Sequence, residues 1–179
     1  GAVTVGVGAG EPCSVALSGG IWTLTSSGAG TCHVSATRAA DANYQSMAAS
    51  ALVVTVAKAS ATLAFDSTSK TLQFGAAFTG PTASTNSTAS IVYSSSDTSV
   101  ATVNSSTGAV TIVGVGSTTI SAQAPTNANY LASPTVSYVL NVTAVPQSLT
   151  WNAATNGLTS KAFGDTFTIG ATSTAGLTP

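Results

Sequence analysis

The sequence predicts an all-β protein built from tandem β-sandwiches of about seven strands each. Three observations support this fold class: short alternations of apolar and polar residues, turn residues between them, and a repeat along the chain. Alternation puts every second side chain on one buried face, which is typical of a strand with one solvated side. Several short strands between regular turns are typical of two packed sheets.

The alternation is clearest in four stretches, which are residues 61–65, 100–103, 110–113 and 136–142. Clusters of Ser, Thr, Asn, Asp and Gly lie between them, at residues 66–69, 94–97, 104–108 and 126–129. Such clusters favour turns. No stretch sustains the apolar stripe of a helix, and the Ala-rich residues 37–49 are predicted to form an ordered loop.

The chain repeats itself with a period of 86 residues, as from Tyr44 to Tyr130. The sequences Gly28-Ala29-Gly30-Thr31, Val34-Ser35-Ala36 and Ala42-Asn43-Tyr44 return as Gly114-Val115-Gly116-Ser117, Ile120-Ser121-Ala122 and Ala128-Asn129-Tyr130. A third copy begins near Leu149 and Trp151, which match Leu63 and Phe65. A fixed period of this size indicates an array of small domains.

The repeat predicts one complete domain and two complementary parts of another. Residues 58–144 form the complete domain, residues 1–57 the C-terminal two thirds of a domain, and residues 145–179 the N-terminal third of the next. Joined tail to head, the two parts would complete one repeat. The residues expected to make this completion are Val3, Val5, Leu149, Trp151, Phe163 and Phe167.

Composition excludes several classes of function. Charged residues make up 5% of the chain, apolar residues 44%, and the formal net charge is -1. Disorder goes with high charge and low hydrophobicity, so a folded chain is expected. The four basic residues stand singly, which argues against a nucleic-acid partner. The longest nearly apolar run, residues 48–57, is too short to span a membrane, so we expect no membrane insertion by this segment.

Two cysteines, Cys13 and Cys32, have Ala101 and Thr118 as their counterparts in the second repeat. A disulfide is favoured over two buried thiols, because a pair of cysteines has replaced a pair of small residues. A disulfide would indicate an oxidising, extracellular setting.

The chain offers little for catalysis or for a cofactor. Its one histidine, His33, lies beside Cys32 and is expected to be a solvated surface side chain, and no Gly-x-Ser-x-Gly is present. We therefore expect no enzymatic activity, no catalytic residue and no cofactor. One His and two paired Cys do not make a zinc site. The carboxylates are isolated, which leaves open only a calcium site built from one carboxylate and backbone carbonyls at a domain junction.

Four aromatic residues are expected in the core. Tyr44 and Tyr130 are predicted to close one end of each sandwich with buried rings, the alternative being two exposed binding tyrosines. Trp22 is matched to Val110, and Trp151 to the core-facing Phe65. Both tryptophans are therefore interpreted as core residues.

The motifs of the second repeat resemble the bacterial immunoglobulin-like domain. They are Val100-Ala101-Thr102-Val103, Ser105-Ser106-Thr107-Gly108-Ala109-Val110-Thr111, Gly114-Val115-Gly116 and Asn127-Ala128-Asn129-Tyr130. The first repeat is similar to the cysteine-containing version, through Glu11-Pro12-Cys13-Ser14-Val15 and Gly28-Ala29-Gly30-Thr31-Cys32. The resemblance implies immunoglobulin-like sandwiches, which serve as spacers, stalks and adhesive tips in secreted and surface proteins of bacteria.

The function predicted from the sequence is structural. The chain has few of the charges that keep sheet edges and whole molecules apart, so it suits an ordered assembly. We expect an extracellular filament or rod whose partners are copies of itself, head to tail. The copies would be joined either by strand addition between subunits or covalently, as periods of a longer polypeptide. The alternative is an adhesin segment that binds a host protein or a carbohydrate, which would show an exposed apolar patch.

Overall fold

The computed structural model of the chain describes residues 1–151, 162–166 and 170–174. Within these ranges the chain forms sixteen strands and no helix, in several small sheets, which confirms the all-β prediction. The strands of residues 1–57 are β1 (Val3–Val7), β2 (Cys13–Ser18), β3 (Ile21–Ser26), β4 (Gly30–Arg38), β5 (Met47–Ala48) and β6 (Leu52–Val56). Those of residues 58–144 are β7 (Leu63–Phe65), β8 (Ser69–Gln73), β9 (Ala83–Thr85), β10 (Val92–Ser95), β11 (Ala101–Val103), β12 (Val110–Ile112), β13 (Gly116–Gln123) and β14 (Val136–Thr143). The last two are β15 (Leu149–Trp151) and β16 (Ala171–Ser173).

The eight strands of residues 58–144 form one four-stranded sheet and two two-stranded sheets around a common core. The four-stranded sheet has the order β10-β13-β14-β8, antiparallel except for the parallel pair of β14 with β8. The two-stranded sheets are the antiparallel pairs β7–β9 and β11–β12. Alternate residues of β13 and β14 point inward, so their apolar side chains meet those of the two-stranded sheets. The buried core residues are Val100, Ala101, Ile120, Tyr138, Leu140 and Val142.

Residues 1–57 repeat the second part of this arrangement. β4 lies between β1 and β6, as β13 lies between β10 and β14, and β2 pairs with β3 as β11 pairs with β12. The register repeats as well: Val34 pairs with Leu52, and 86 residues later Ile120 pairs with Tyr138. All of residues 1–57 are described, and they contain no counterpart of β7, β8 or β9.

The pair β15–β16 repeats the first part of the arrangement. Leu149 of β15 pairs with Ser173 of β16, and Leu63 of β7 pairs with Thr85 of β9. Both pairs are antiparallel and three residues long. The end of the described chain thus matches the first part of residues 58–144, and residues 1–57 match the later part.

The hairpin β2–β3 corrects the match predicted for Trp22. The counterpart of Val110 is Leu24, because each pairs with the valine of the preceding strand. The hairpin runs beyond that pair and closes on Gly19 and Gly20, whose φ angles of 56° and 83° suit glycine in a two-residue turn. Trp22 lies in this extension with an exposed side chain, so its assignment to the core is wrong.

Candidate functional site

The open sheet, which we define as β1, β4 and β6, presents apolar side chains that the other described residues do not cover completely. Leu52 of β6 is 62% exposed, whereas its counterpart Tyr138 is 2% exposed. Val3 is exposed, and Val5 is half-buried. Apolar surface in water is unfavourable by about 25 cal/mol per Å², so this face favours association.

The end pair, which we define as β15 with β16, is exposed in the same way. Leu149 is 67% exposed, whereas Leu63 at the same place in the intact repeat is 8% exposed. Phe163 is fully exposed. Phe167 lies outside the described residues. The role of these residues in completing a repeat stays a prediction.

Trp151 and Leu52 occupy the two halves of a contact that the intact repeat makes internally. There the rings of Phe65 and Tyr138 meet edge to face, with 4.9 Å between their centroids. Trp151 is the counterpart of Phe65, and its side chain is exposed. The expected burial of Trp151 is therefore absent in the single chain, because residues 1–57 and the end pair belong to different repeats.

An apolar pocket of about 440 Å³ lies at one end of the open sheet and is lined by residues that include Val3, Ala36, Arg38, Tyr44 and Met47. The prediction of a buried Tyr44 ring is wrong, because this side chain is 63% exposed. Its ring instead contacts the guanidinium of Arg38, at 5.1 Å from the centroid. The pocket is thus an unfilled apolar site at the edge of the open sheet.

A disulfide joins Cys13 of β2 to Cys32 of β4 and so ties the β2–β3 pair to the open sheet. Both cysteines are buried. Their counterparts Ala101 and Thr118 are buried as well, which confirms the structural equivalence predicted from the repeat. A stable disulfide is typical of an oxidising compartment, such as the extracellular space.

Glu11 and His33 form a hydrogen-bonded pair beside this disulfide. Oε1 of Glu11 lies 2.6 Å from Nδ1 of His33, and the backbone N–H of His33 donates to Oε2 at 2.6 Å. The backbone hydrogen bond from His33 holds the pKa of Glu11 below its usual range. His33 is half exposed, but it is a paired side chain and not a freely solvated one.

Sequence reasoning missed this pair, although a signal was present. Glu11 stands two residues before Cys13, and His33 directly follows Cys32, so the predicted disulfide already brings the two side chains together. In the described part of the chain, the one cluster that could hold a metal ion consists of Glu11 and the two cysteines. The cysteine sulfurs are bonded to each other, which leaves a single carboxylate as a possible ligand.

No family model matches this sequence, and no curated protein matches it. In the part of the chain that the structure describes, no helix is long and apolar enough to cross a membrane. The function is therefore inferred from the two open faces and from the geometry of the repeats.

Proposed function

We propose that the protein is a non-enzymatic structural component of an extracellular bacterial filament or rod, built from tandem immunoglobulin-like domains joined head to tail. The main support for this proposal is that the end pair matches β7–β9 in strand direction and in register. The open sheet lacks such a pair. Each copy thus offers the strands that the next copy needs.

The resemblance to immunoglobulin-like domains is supported by the strand order of residues 58–144. β10, β13 and β14 lie side by side and face the pairs β7–β9 and β11–β12, as strands C, F and G face A, B, E and D in an immunoglobulin-like sandwich. β8 adds a parallel strand at the edge of the first sheet. The repeat that is divided between the two ends of the chain can have the same strand order only if its strands come from two copies.

The open faces also support assembly on energetic grounds. A two-stranded pair is marginally stable on its own in water and needs a packed face to persist. The end pair has an exposed leucine and an exposed tryptophan where the intact repeat has core residues. A net charge of -1 provides little repulsion between copies. Association buries both faces at once.

Copies are joined either by strand complementation between subunits or covalently, as periods of a longer polypeptide. In both cases one end meets the other, and such a heterologous contact generates an open linear assembly. The mass of the natural chain under denaturing and reducing conditions separates the two forms. A mass near 17.3 kDa indicates subunits, and a mass many times larger indicates covalent repeats.

Electron microscopy of the 179-residue chain tests the proposal. We expect linear filaments from the whole chain and none from a chain that lacks residues 145–179. A separate peptide of residues 145–179 should occupy the open sheet of the truncated chain and should also shorten filaments of the whole chain. Long filaments from the truncated chain would contradict the proposal.

The rival function, an adhesin segment that binds a host protein or a carbohydrate, is favoured by the exposed pocket at Tyr44. Binding modules often present an exposed aromatic or apolar patch. In an adhesin, Tyr44→Ala removes binding to host cells or to a glycan array and leaves any assembly of copies intact. In the structural protein, the same substitution changes assembly and has no ligand to affect.

A further inference from the structure

Backbone groups hold the chain at the point where it passes from the first repeat into the second. The N–H of Ala59 donates to the carbonyl of Asn129, and the N–H of Leu131 donates to the carbonyl of Ala59, both at 2.9 Å. From the preceding repeat, the N–H of Ala29 donates to the side-chain oxygen of Asn129 at 2.9 Å. Three hydrogen bonds to one loop thus define this internal junction.

The loop that accepts these bonds is held in shape by its own first residue. Oδ1 of Asn127 accepts the N–H groups of Asn129 and Tyr130, at 2.9 and 2.8 Å. The N–H of Asn127 donates to the carbonyl of Tyr130 at 3.0 Å. Such turns, closed by an Asn or Asp side chain, form without a neighbouring element.

The first repeat contains the same loop 86 residues earlier. Oδ1 of Asp41 accepts the N–H groups of Asn43 and Tyr44, at 3.0 and 2.9 Å. The N–H of Asp41 donates to the carbonyl of Tyr44 at 2.9 Å. The accepting loop of residues 41–45 therefore already has the conformation that the internal junction uses.

The groups that would form this junction have no hydrogen-bond partner in the described part of the chain. Among the described residues, no hydrogen bond is made by the carbonyl or side-chain oxygen of Asn43 or by the N–H of Gln45. The same is true of the N–H and carbonyl of Val145 and of the N–H of Val115, which are the counterparts of Ala59 and Ala29. The two sets match as donors and acceptors.

We propose that residues 41–45 of one copy receive Val145 and Val115 of the neighbouring copy in the geometry of the internal junction. Val145 would pair with the backbone of Asn43 and Gln45, and the N–H of Val115 would donate to the side-chain oxygen of Asn43. This inference rests on the proposed head-to-tail assembly and identifies the residues at its contact. The occupant of the apolar pocket is then the segment that follows Val145 in a second copy.

The burial of equivalent residues in the intact repeat supports this segment as the occupant of the apolar pocket. Ala61, two residues after Ala59, is 4% exposed there, and Ala124, the counterpart of the pocket residue Arg38, is 0% exposed. In the second copy Gln147 takes the place of Ala61. Arg38 already donates to Oδ2 of Asp41 at 2.8 Å, and Oε1 of Gln147 already accepts the hydroxyl of Ser173 at 3.2 Å, so both polar groups would keep a partner when the junction covers them.

Two further differences between equivalent positions of the repeats are consistent with the proposed register. Pro146 stands where the intact repeat has Ser60, whose N–H makes no hydrogen bond in the described part of the chain, so proline loses nothing there. Ala144 stands where Lys58 donates from Nζ to the carbonyl of Asn127 at 2.6 Å. Nζ of Lys58 also donates to the hydroxyl of Thr126 at 3.5 Å, so the contact between copies lacks two hydrogen bonds of the internal junction.

Cross-linking between copies tests the junction. Ala59 and Tyr130 are bridge partners, and paired strands lie about 4.8 Å apart, within the range that a disulfide spans. A chain with Tyr44→Cys and Val145→Cys should form a ladder of covalent multimers on mild oxidation, and reductant should dissolve it. Asn43→Ala in that chain should slow the ladder about fivefold, because one hydrogen bond is lost.

Two matched chains serve as controls. Ala59→Cys with Tyr130→Cys places the same pair at the internal junction and should close within one chain. Thr23→Cys with Val145→Cys keeps the donor cysteine but moves its partner to the exposed hairpin, so it should form no ladder.

The outcomes separate the junction from the proposed function. The proposed junction is wrong if the chain with Tyr44→Cys and Val145→Cys stays monomeric while the control with Ala59→Cys and Tyr130→Cys forms its internal disulfide. This holds whether the two cysteines of the monomer stay reduced or form a disulfide within one chain. If filaments of the unmodified chain persist in that case, the proposed function stands with another contact. If no filaments form either, the junction fails together with the joining of separate subunits by strand complementation.

Discussion

One pair of equivalent positions is stabilised by different chemistry in the two repeats. Cys13 and Cys32 form a disulfide in the first repeat. In the second, Thr118 replaces Cys32, and its hydroxyl accepts the N–H of Asp97 at 2.9 Å and bonds the hydroxyl of Ser95 at 3.0 Å. Thr118 is 2% exposed, so these bonds are shielded from water. Each repeat thus fixes the same strand, covalently or through a hydroxyl.

We predict that Thr118→Val lowers the free energy of unfolding by about 1 kcal/mol, because the N–H of Asp97 then loses its partner in a partly buried hydrogen bond. Thr118→Ser keeps the hydroxyl and is the matched control, with a smaller loss from the missing methyl group. Urea unfolding followed by circular dichroism measures the difference. Equal losses in the two variants would show that the hydroxyl has no special role.

We predict that the Glu11 pair weakens as the pH falls. The folded-state pKa of Glu11 is lowered, first by the hydrogen bond from the His33 backbone, so its contribution is present above the unfolded pKa of about 4.3 and is lost as the pH drops through the folded value. Glu11→Gln should therefore be less stable than the unmodified chain at pH 7, and this difference in stability should become smaller below pH 4. Thermal unfolding from pH 7 to pH 3 measures it.

The control for this experiment is Asp66→Asn, whose carboxylate makes no recorded hydrogen bond within the described residues. The difference in stability between Glu11→Gln and the unmodified chain should change more over this range than the difference for this control. A difference in stability between Glu11→Gln and the unmodified chain that grows toward low pH would contradict the assigned pairing of Glu11 with His33.

At the scale of elements, the disulfide links the β2–β3 pair to the open sheet. Without it, residues 1–57 keep only a partial core to hold these strands together. We predict that Cys13→Ala with Cys32→Thr, which installs the residues of the second repeat, lowers the free energy of unfolding by about 3 kcal/mol for a loop of this length. Urea unfolding with and without reductant measures the loss.

Reductant should destabilise the unmodified chain by a similar amount and leave the double variant unchanged. A double variant as stable as the oxidised parent would mean that hydrogen bonding alone holds this part of the chain.

Strand pairing was largely predictable from the sequence, because the repeat aligns Val34 with Ile120 and Leu149 with Leu63, and both pairs occupy equivalent ladder positions. The position of Trp22 was not predictable, because extra residues at the tip of the β2–β3 hairpin shift the match between the repeats. They leave the alternation of apolar and polar residues unchanged.

The candidate site was predictable only in part. The exposed residues Val3, Leu149 and Trp151 follow from the split of the repeat. The accepting loop of residues 41–45 does not, because its shape depends on how the side chain of Asp41 bonds the backbone, and a pattern of residue types does not reveal that geometry.

At the scale of the whole molecule, the two open faces differ from each other, so in the proposed assembly one copy would join the next without closing a symmetric dimer. The open sheet of one copy needs an end pair, and its own end pair is left for another copy. Contacts of this kind add copies at both ends. A defect in one face should therefore stop growth in one direction only.

We predict that Leu52→Asp and Trp151→Asp, made in separate chains, each prevent assembly, because a carboxylate would be buried in the contact equivalent to Phe65 and Tyr138. Mixed in equal amounts, the two variants should form dimers and nothing longer. The intact end pair of the Leu52→Asp chain fits the intact open sheet of the Trp151→Asp chain, and the two remaining faces are both defective. Sedimentation velocity distinguishes monomers, dimers and filaments.

The matched control uses the exposed leucine and tryptophan of the β2–β3 hairpin, which lie outside both open faces. Leu17→Asp and Trp22→Asp make the same chemical changes at residues paired across that hairpin, so each chain alone should still assemble. Filaments from either Leu52→Asp or Trp151→Asp alone would show that copies meet elsewhere. Dimers that form only in the mixture would instead establish that every copy contributes one of each face, which is the condition for a head-to-tail filament.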